Sequence, residues 1–384
     1  MRLPRALGHD PSGTPVAVVF GGPSAEHDVS VVSGNAIADA LAGAGYPVSR
    51  NLIDLAGGWW SLPADHRRDD RPPAAYDDPA ALGAQGPVPG GRALAGLAGG
   101  DPRTVVFLAL HGPFGEDGTV QALVETAGLA YTGSGVTASA VGMDKAIFKR
   151  LVRGLGLPVV DWREIPEGRW RREPDAVLAE LSAFAGATGD ERLMIKPARL
   201  GSSVGMTLAH GPDERADALA LAFRYDDLAL AERYLAGARD LEVSVIGNAG
   251  DPLELYGPGE ILAGHEFYDF AAKYVPGLSE TTVGAEVSER ERVTLLKLAR
   301  DAYRAIGADG FARVDFLLAG ETLVVSEINT IPGFTPISLF PAMAAAGGYD
   351  FTGVCARIVD LALARHEARR RPALTTADLY RDAS

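Results

Sequence analysis

With 384 residues, 47% of them hydrophobic, the chain is long enough for two or three packed domains. A formal charge of −14 argues against nucleic acid or an anionic membrane as partner, while leaving room for a local basic pocket. One cysteine, Cys355, excludes an intramolecular disulfide and a zinc cluster, and the first fifteen residues lack the apolar core of a signal peptide, so a cytoplasmic, soluble protein is expected.

The first predicted element is a buried parallel strand, VAVVF at 16–20, running into the turn Gly21-Gly22-Pro23-Ser24 and a helix from Val31 to Ala44. Strand, glycine turn and helix open a doubly wound unit, whose ligand lies at the carboxyl end of the strand. The glycines do not match the dinucleotide fingerprint, so NAD and FAD are rejected. Glu26 and His27 fall at the turn and helix start, where helix capping by Ser24 or Glu26 is the plain alternative to a site. Residues 61–104 read as surface loops with room for one short helix and little chemistry. A second buried strand, 104–110, delivers His111 into the polar loop HGPFGEDG, a position more typical of a site than of a core, before a helix from Thr119 to Thr126.

A domain boundary or hinge is expected between about 133 and 140, and Val136 to Val152 reads as one helix with Lys145 and Lys149 on one side. LMIKPA at 193–198 is the next strand and carries Lys196. The Gly-Ser stretch 199–205 then leads to another strand. This is not a P-loop, which requires G-x-x-x-x-G-K-[ST] leading into a helix, yet the backbone and hydroxyls of Ser202 and Ser203 can wrap phosphate oxygens. One strand ends near Glu232 and another starts at Leu241, joined by a connector suited to a hinge. His265 to Tyr274 is aromatic, charged and irregular, as suits an active-site loop; an ordinary surface loop is the alternative.

After a helix from Glu289 to Ile306 comes a hairpin. Ala312, Val314, Phe316 and Leu318 alternate with Arg313 and Asp315, and a second alternating run spans 323–328. A three-residue turn, Ala319 to Glu321, would set Arg313 opposite Glu327, with Asp315 one diagonal step away. Asp315, Glu327 and Asn329 then form a hard-oxygen set that suits magnesium bound with nucleotide phosphates; a solvated face with a surface salt bridge is the alternative. The rigid turn from Thr330 to Thr335 can present the Gly333 N–H to a ligand. A closing helix from Tyr349 to His366 and a polar tail end the chain.

Seven motifs in order, GGPSAEHDVS, HGPFGEDGT, GMDK, IKPARLGSSVG, FYDFAAKY, ARVDF and EINTIPGFTPISL, resemble the D-alanine–D-alanine ligases of the ATP-grasp superfamily from about residue 16 to 365. The resemblance implies an α/β, three-domain ATP-grasp ligase: an N-terminal parallel-sheet (Rossmann-like) domain at 1–135, a central lid at 136–232 and a C-terminal domain at 233–384. ATP would lie between the last two. It further implies that Lys145, Lys196, Lys273 and Ser203 hold the phosphates, that Glu232, Tyr234 and Leu235 border adenine, and that Asp240, with Glu242 the alternative, holds the ribose. Asp315, Glu327 and Asn329 match the ligands of two magnesium ions, which manganese can replace. Glu26 would face the ammonium of the first D-alanine, with His111 beside it, and Ser202 and Tyr274 would link Glu26 to the mobile loop. Arg313 and the Gly333 N–H would meet the oxyanion, while Ser338 and Leu339 would receive the second D-alanine.

The implied activity joins two D-alanines with ATP, through D-alanyl phosphate, for peptidoglycan precursors. A homodimer through the N-terminal domain is expected, with no nucleic-acid or membrane partner. The alternatives are a D-alanine–D-lactate or other carboxylate–amine ligase of the same superfamily, disfavoured by Tyr274, and a nucleotide-binding scaffold that has lost catalysis. Such a scaffold would be expected to lack a metal ligand or Arg313.

Overall fold

The computed structural model describes residues 9–187, 189–263 and 279–370. Three sheets follow one another along the chain. The first holds β1 (Val16–Gly21), β2 (Val48–Ile53), β3 (Trp59–Ser61), β4 (Gln85–Val88), β5 (Val105–Leu108) and β6 (Ala130–Tyr131) in the order β4-β3-β2-β1-β5-β6. β2, β1, β5 and β6 run parallel, and β3 and β4 close one edge antiparallel. β1 is buried throughout, as expected for a strand covered on both faces. Helix α1 (His27–Gly43) lies so close to it that a Cβ on Gly34 would come within 2.3 Å of Phe20 Cβ. Glycine is what permits this approach.

Residues 61–104 are more ordered than their composition suggests. They contain β4, helix α2 (Gly90–Gly100) and two short 3-10 turns, Pro73–Tyr76 and Pro79–Leu82. The buried side chains of Tyr76 and Leu94, with Trp59 just before, supply apolar anchors that a count of proline and glycine conceals. Helix α3 (Thr119–Thr126) falls where its periodicity puts it.

The single helix expected over 136–152 is two: α4 (Val136–Met143) and α5 (Lys145–Gly154). Asp144 breaks them. Its backbone is extended (φ −86°, ψ 98°), and its carboxylate accepts a hydrogen bond from Ile147 N at 2.9 Å, capping α5. The second sheet, wholly antiparallel, comprises β7 (Trp162–Pro166), β8 (Leu193–Pro197), β9 (Thr207–Ala209) and β10 (Leu228–Arg233) in the order β7-β10-β8-β9. Helices α6 (Glu167–Arg172), α7 (Pro174–Gly186) and α8 (Pro212–Ala222) accompany it. Val177, Leu181, Leu219 and Ala222 from α7 and α8 form a small core with Ile165, Leu193 and Ile195.

The third sheet is also antiparallel: β11 (Arg239–Ile246), β12 (Glu254–Ala263), β13 (Ser279–Thr282), β14 (Phe311–Ala319) and β15 (Thr322–Asn329), ordered β13-β12-β11-β14-β15. Helix α9 (Glu289–Ala305), started by a Ser288–Glu291 capping box, packs on it. Helices α10 (Leu339–Ala346) and α11 (Phe351–Arg369) close the described chain. α11 returns to the first sheet, where Arg365 donates to the carbonyls of Tyr131 and Gly133.

The hairpin β14–β15 forms with a register that differs from expectation. Its turn has two residues, Gly320 (φ 58°) and Glu321, and a bulge follows at Ser326. Arg313 therefore pairs with Asn329, and Asp315 lies directly opposite Glu327. Without the bulge, strict alternation after the buried Val325 would turn Glu327 into the core. The extra residue keeps Ile328 inside and sets Glu327 and Asn329 on the face shared with Asp315.

Candidate active site

A cleft opens between the second and third sheets. Lys196 on β8 and Glu232 on β10 form one side with the 200–204 flap. Asp240 and Glu242 on β11, Arg313 and Asp315 on β14 and Glu327 on β15 form the other, and Lys145 enters from the start of α5. Tyr234 and Leu235, in the connector between the sheets, line the same cleft. Strand pairing gathers these groups within each sheet, and the start of α5 brings Lys145 to the gap between the two sheets. On adjacent strands, Lys196 pairs with Leu230 and Glu232 with Met194, so the two charged side chains share a face.

The charges are paired in two nests. Arg313 binds Asp315 bidentately, both contacts at 2.7 Å, and its Nε is 3.2 Å from Glu242 Oε1. Burial alone would lower the Arg313 pKa, but Asp315 and Glu242 outweigh it and hold the guanidinium firmly charged. Asn329 Nδ2 donates to Asp315 Oδ2 at 2.9 Å. Lys145 Nζ lies 3.1 Å from Glu327 and donates to Leu200 O at 2.8 Å, tying the metal-type carboxylate to the flap. In the second nest Glu232 receives Lys196 at 3.0 Å and Lys149 at 3.1 Å. Burial raises the Glu232 pKa, yet the two ammoniums together bring it below its ordinary value.

The flap has an unusual backbone. Ser202 (φ 52°) and Ser203 (φ 56°) both occupy the left-handed region, at a cost of about 1–2 kcal/mol each for a residue bearing a Cβ. Strain of this kind persists where surrounding contacts hold it. One such contact is visible: Ser202 Oγ donates to Glu26 Oε1, from the turn that precedes α1. Glu26 occupies the N-cap position of that helix without capping it, so its carboxylate is committed to the flap. Gly112 and Gly201 flank the carboxylate, and a Cβ at either would come within 2.6 or 2.9 Å of Glu26 Oε2.

His111 is buried, with Nδ1 3.0 Å from Ile331 O and Nε2 3.3 Å from Ser33 Oγ. Burial pushes its pKa down despite the nearby Glu26. Gly333 follows Ile331 in a turn anchored by the buried ring of Phe334, which packs on Phe107, Phe311 and Phe340. Ser338 Oγ accepts from Thr335 N at 3.0 Å and lies 2.8 Å from Thr335 Oγ1, and Leu339 begins α10. Lys273 and Tyr274, with the whole of the 265–274 loop, lie outside the described residues.

Two residues of the site region carried no role in the sequence reading. Glu116 accepts hydrogen bonds from Gly112 N and Ile331 N, each at 2.9 Å, so with His111 it grips both backbone groups of Ile331. Burial first, and Glu26 second, push its pKa up to about 8. Lys149 is fully buried. Its signal was the spacing 145, 148, 149, 152, which sets two lysines on the buried stripe of α5.

The donor chemistry at Asp315, Glu327 and Asn329 fits a hard cation shared with phosphates: two carboxylates and an amide on one sheet face. Among the described residues no three His, Cys, Asp or Glu side chains converge as a metal-binding group; here the third donor is an amide.

Residues 15–134 match the family model described as the D-Ala D-Ala ligase N-terminus, and residues 151–360 match the D-Ala D-Ala ligase C-terminus. A protein of Kineococcus radiotolerans named D-alanine–D-alanine ligase is 40% identical over 372 residues, covering 91% of this chain and 96% of the relative. One of the same name from Heliobacterium modesticaldum is 39% identical, covering 93% and 97%. Among solved structures, the D-alanine-D-alanine ligase of Coxiella burnetii superposes with a TM-score of 0.73 at 30% identity, covering 96% of this chain and 99% of its own. The VanG D-Ala:D-Ser ligase of Enterococcus faecalis gives 0.75 at 27%, covering 91% and 99%.

Proposed function

The chain belongs to the D-alanine–D-alanine ligase family, and from that premise we propose how its own residues carry out the reaction. It is an ATP-dependent ligase that joins two D-alanines into the dipeptide used for peptidoglycan, on an ATP-grasp fold. The observation that carries the residue-level reading is the Ser202–Glu26 hydrogen bond. It joins the flap of the second sheet to the first-sheet turn, beside the cleft that holds Arg313 and the lysines.

A carboxylate resists nucleophilic attack because it is already negative. One of its oxygens therefore attacks the γ-phosphorus of ATP, the bond to the bridging oxygen breaks, and ADP leaves as D-alanyl phosphate forms. Glu26 holds the ammonium of this first D-alanine, with His111 behind it. Lys145, Lys196, Lys273 and Ser203 hold the phosphates, Glu232, Tyr234 and Leu235 border the adenine, and Asp240 holds the ribose. Glu242, the alternative for that task, is engaged by Arg313. Held by Asp315, Glu327 and Asn329, two magnesium ions, or manganese in their place, would neutralise charge on the transferring phosphoryl group.

The amine of the second D-alanine, positioned by Ser338 and Leu339, then attacks the carbonyl carbon. Arg313 and the Gly333 N–H stabilise the oxyanion, and its collapse expels phosphate, which carries away the proton that the attacking nitrogen sheds as the amide forms. The flap and the Tyr274 loop exclude water, which would otherwise hydrolyse the acyl phosphate.

The division into 1–135, 136–232 and 233–384 belongs to the same proposal and is supported by one sheet falling essentially within each segment. Among the described residues no helix is long and apolar enough to cross a membrane. The reaction is placed in the cytoplasm, where ATP is available, and the enzyme is expected as a homodimer through the N-terminal segment.

The test is phosphate release from Mg-ATP with D-alanine, L-alanine, or D-alanine plus D-lactate or D-serine, with the products separated by mass. D-Ala-D-Ala from D-alanine alone is the expected result. Turnover only with D-lactate or D-serine would keep the mechanism and overturn the second-substrate assignment; turnover with none would overturn the ligase reading.

A further inference from the structure

Lys149 is the one charged member of the Glu232 nest that does not line the cleft. Its side chain is wholly buried, its ammonium is 3.1 Å from Glu232 Oε1, and Lys196 takes the other oxygen at 3.0 Å from the cleft side. Neither Lys149 Nζ nor Glu232 Oε1 has a well-aligned hydrogen-bond partner among the described residues. Glu232, 4% exposed as a residue, therefore has a cation behind it, at a fully buried carboxylate oxygen on the side away from Lys196. The other charged groups acting on Lys149 are Lys196 and Glu327, both at the cleft.

We propose that Lys149 is the residue that sets nucleobase selectivity, by keeping Glu232 an ionised, acceptor-only group facing the base. This rests on the reading of the cleft as a nucleotide site with Glu232 beside the base. An ionised carboxylate accepts hydrogen bonds and cannot donate one. Adenine offers it an exocyclic amine; guanine presents a carbonyl oxygen at the equivalent position, which a carboxylate repels. A protonated Glu232 could donate to that carbonyl, and discrimination would fall. Lys196 cannot secure the charge alone, because it is shared with the phosphates once nucleotide is bound. Lys149, out of reach of any ligand, stays with Glu232 throughout. A buried pair retained only for stability would give no base dependence, since hydrophobic replacement of such pairs is often tolerated.

The experiment is calorimetric binding of Mg-ADP and Mg-GDP to the wild type and to Lys149→Met, Lys149→Arg, Glu232→Gln and the Lys149→Met/Glu232→Gln double variant, each checked for folding by circular dichroism. Lys149→Met is expected to lose roughly ten- to a hundredfold of the ADP:GDP affinity ratio. Lys149→Arg should retain the ratio, and Lys149→Met should change it no further in the Glu232→Gln background. A folded Lys149→Met with the wild-type ratio, an equal weakening of both nucleotides, or a persisting effect in the Glu232→Gln background would each overturn the proposal. If Lys149→Met does not fold, Lys149→Gln replaces it; failure of both to fold while Lys149→Arg folds would assign Lys149 to stability alone and overturn it as well. Binding does not require turnover, so the two readings fail separately. An active ligase whose ratio survives Lys149→Met removes only this inference, whereas an inactive protein whose ratio collapses removes only the ligase reading.

Discussion

Arg313 sits between Asp315 and Glu242, and this arrangement makes its guanidinium a fixed charge that needs no reorganisation when an oxyanion forms. Arg313→Ala should lower kcat by about a hundred- to a thousandfold, corresponding to about 2.7–4 kcal/mol of transition-state stabilisation. Steady-state phosphate release checks this, and a loss of less than tenfold would remove Arg313 from the oxyanion site. Glu116 supports a different prediction. Its pKa is raised from the ordinary 4.5 to about 8, mainly by burial, so between those values the folded protein keeps a proton that the unfolded chain has released. Stability attributable to this residue therefore falls as pH rises from about 4.5 to about 8, then levels off. Glu116→Gln should flatten that part of the profile. Urea unfolding at pH 5 and pH 8 tests it: the wild type should lose more stability between the two than the variant, and equal losses would contradict the assignment.

At the scale of elements, α5 depends on a single cap. Asp144→Ala should cost about 1 kcal/mol of stability, read as a lower urea midpoint, and should raise KM for ATP because the cap aims Lys145. An unchanged midpoint and KM would mean that packing alone fixes the helix. This cap also explains a difference from the sequence reading. Apolar periodicity runs across 136–152, and a mid-pattern aspartate flanked by Met143 and Lys145 gives no sign that the backbone turns extended there. The hairpin repeats the lesson. Its alternation and the shared face of Asp315, Glu327 and Asn329 were legible from side-chain type. Its register was not, because a two-residue turn and a one-residue bulge are set by backbone pairing. Strands β1 and β5 were readable as unbroken apolar runs, and helix α3 from apolar residues recurring at helical spacing after a glycine. The role of Glu116 was hidden because its partners are backbone amides, one of them 215 residues away.

Across the whole molecule, three sheets are brought to one cleft by contacts of very different reach. α11 ties the end of the described chain to the first sheet, the connector at Tyr234 and Leu235 joins the second sheet to the third, and Ser202 bridges back to Glu26. If the Asp315–Glu327–Asn329 face holds the metal, chelation of divalent cations should abolish phosphate release, with recovery on adding magnesium or manganese. Turnover undiminished in excess chelator would contradict that assignment. The most direct test of the central claim uses D-alanine labelled with oxygen-18 in its carboxylate as the only amino acid, with Mg-ATP. An acyl phosphate whose collapse expels phosphate must deliver one carboxylate oxygen to the phosphate for each dipeptide made. The expected result is D-Ala-D-Ala with singly labelled inorganic phosphate in equal amount. Unlabelled phosphate accompanying the dipeptide, or no dipeptide at all, would contradict it.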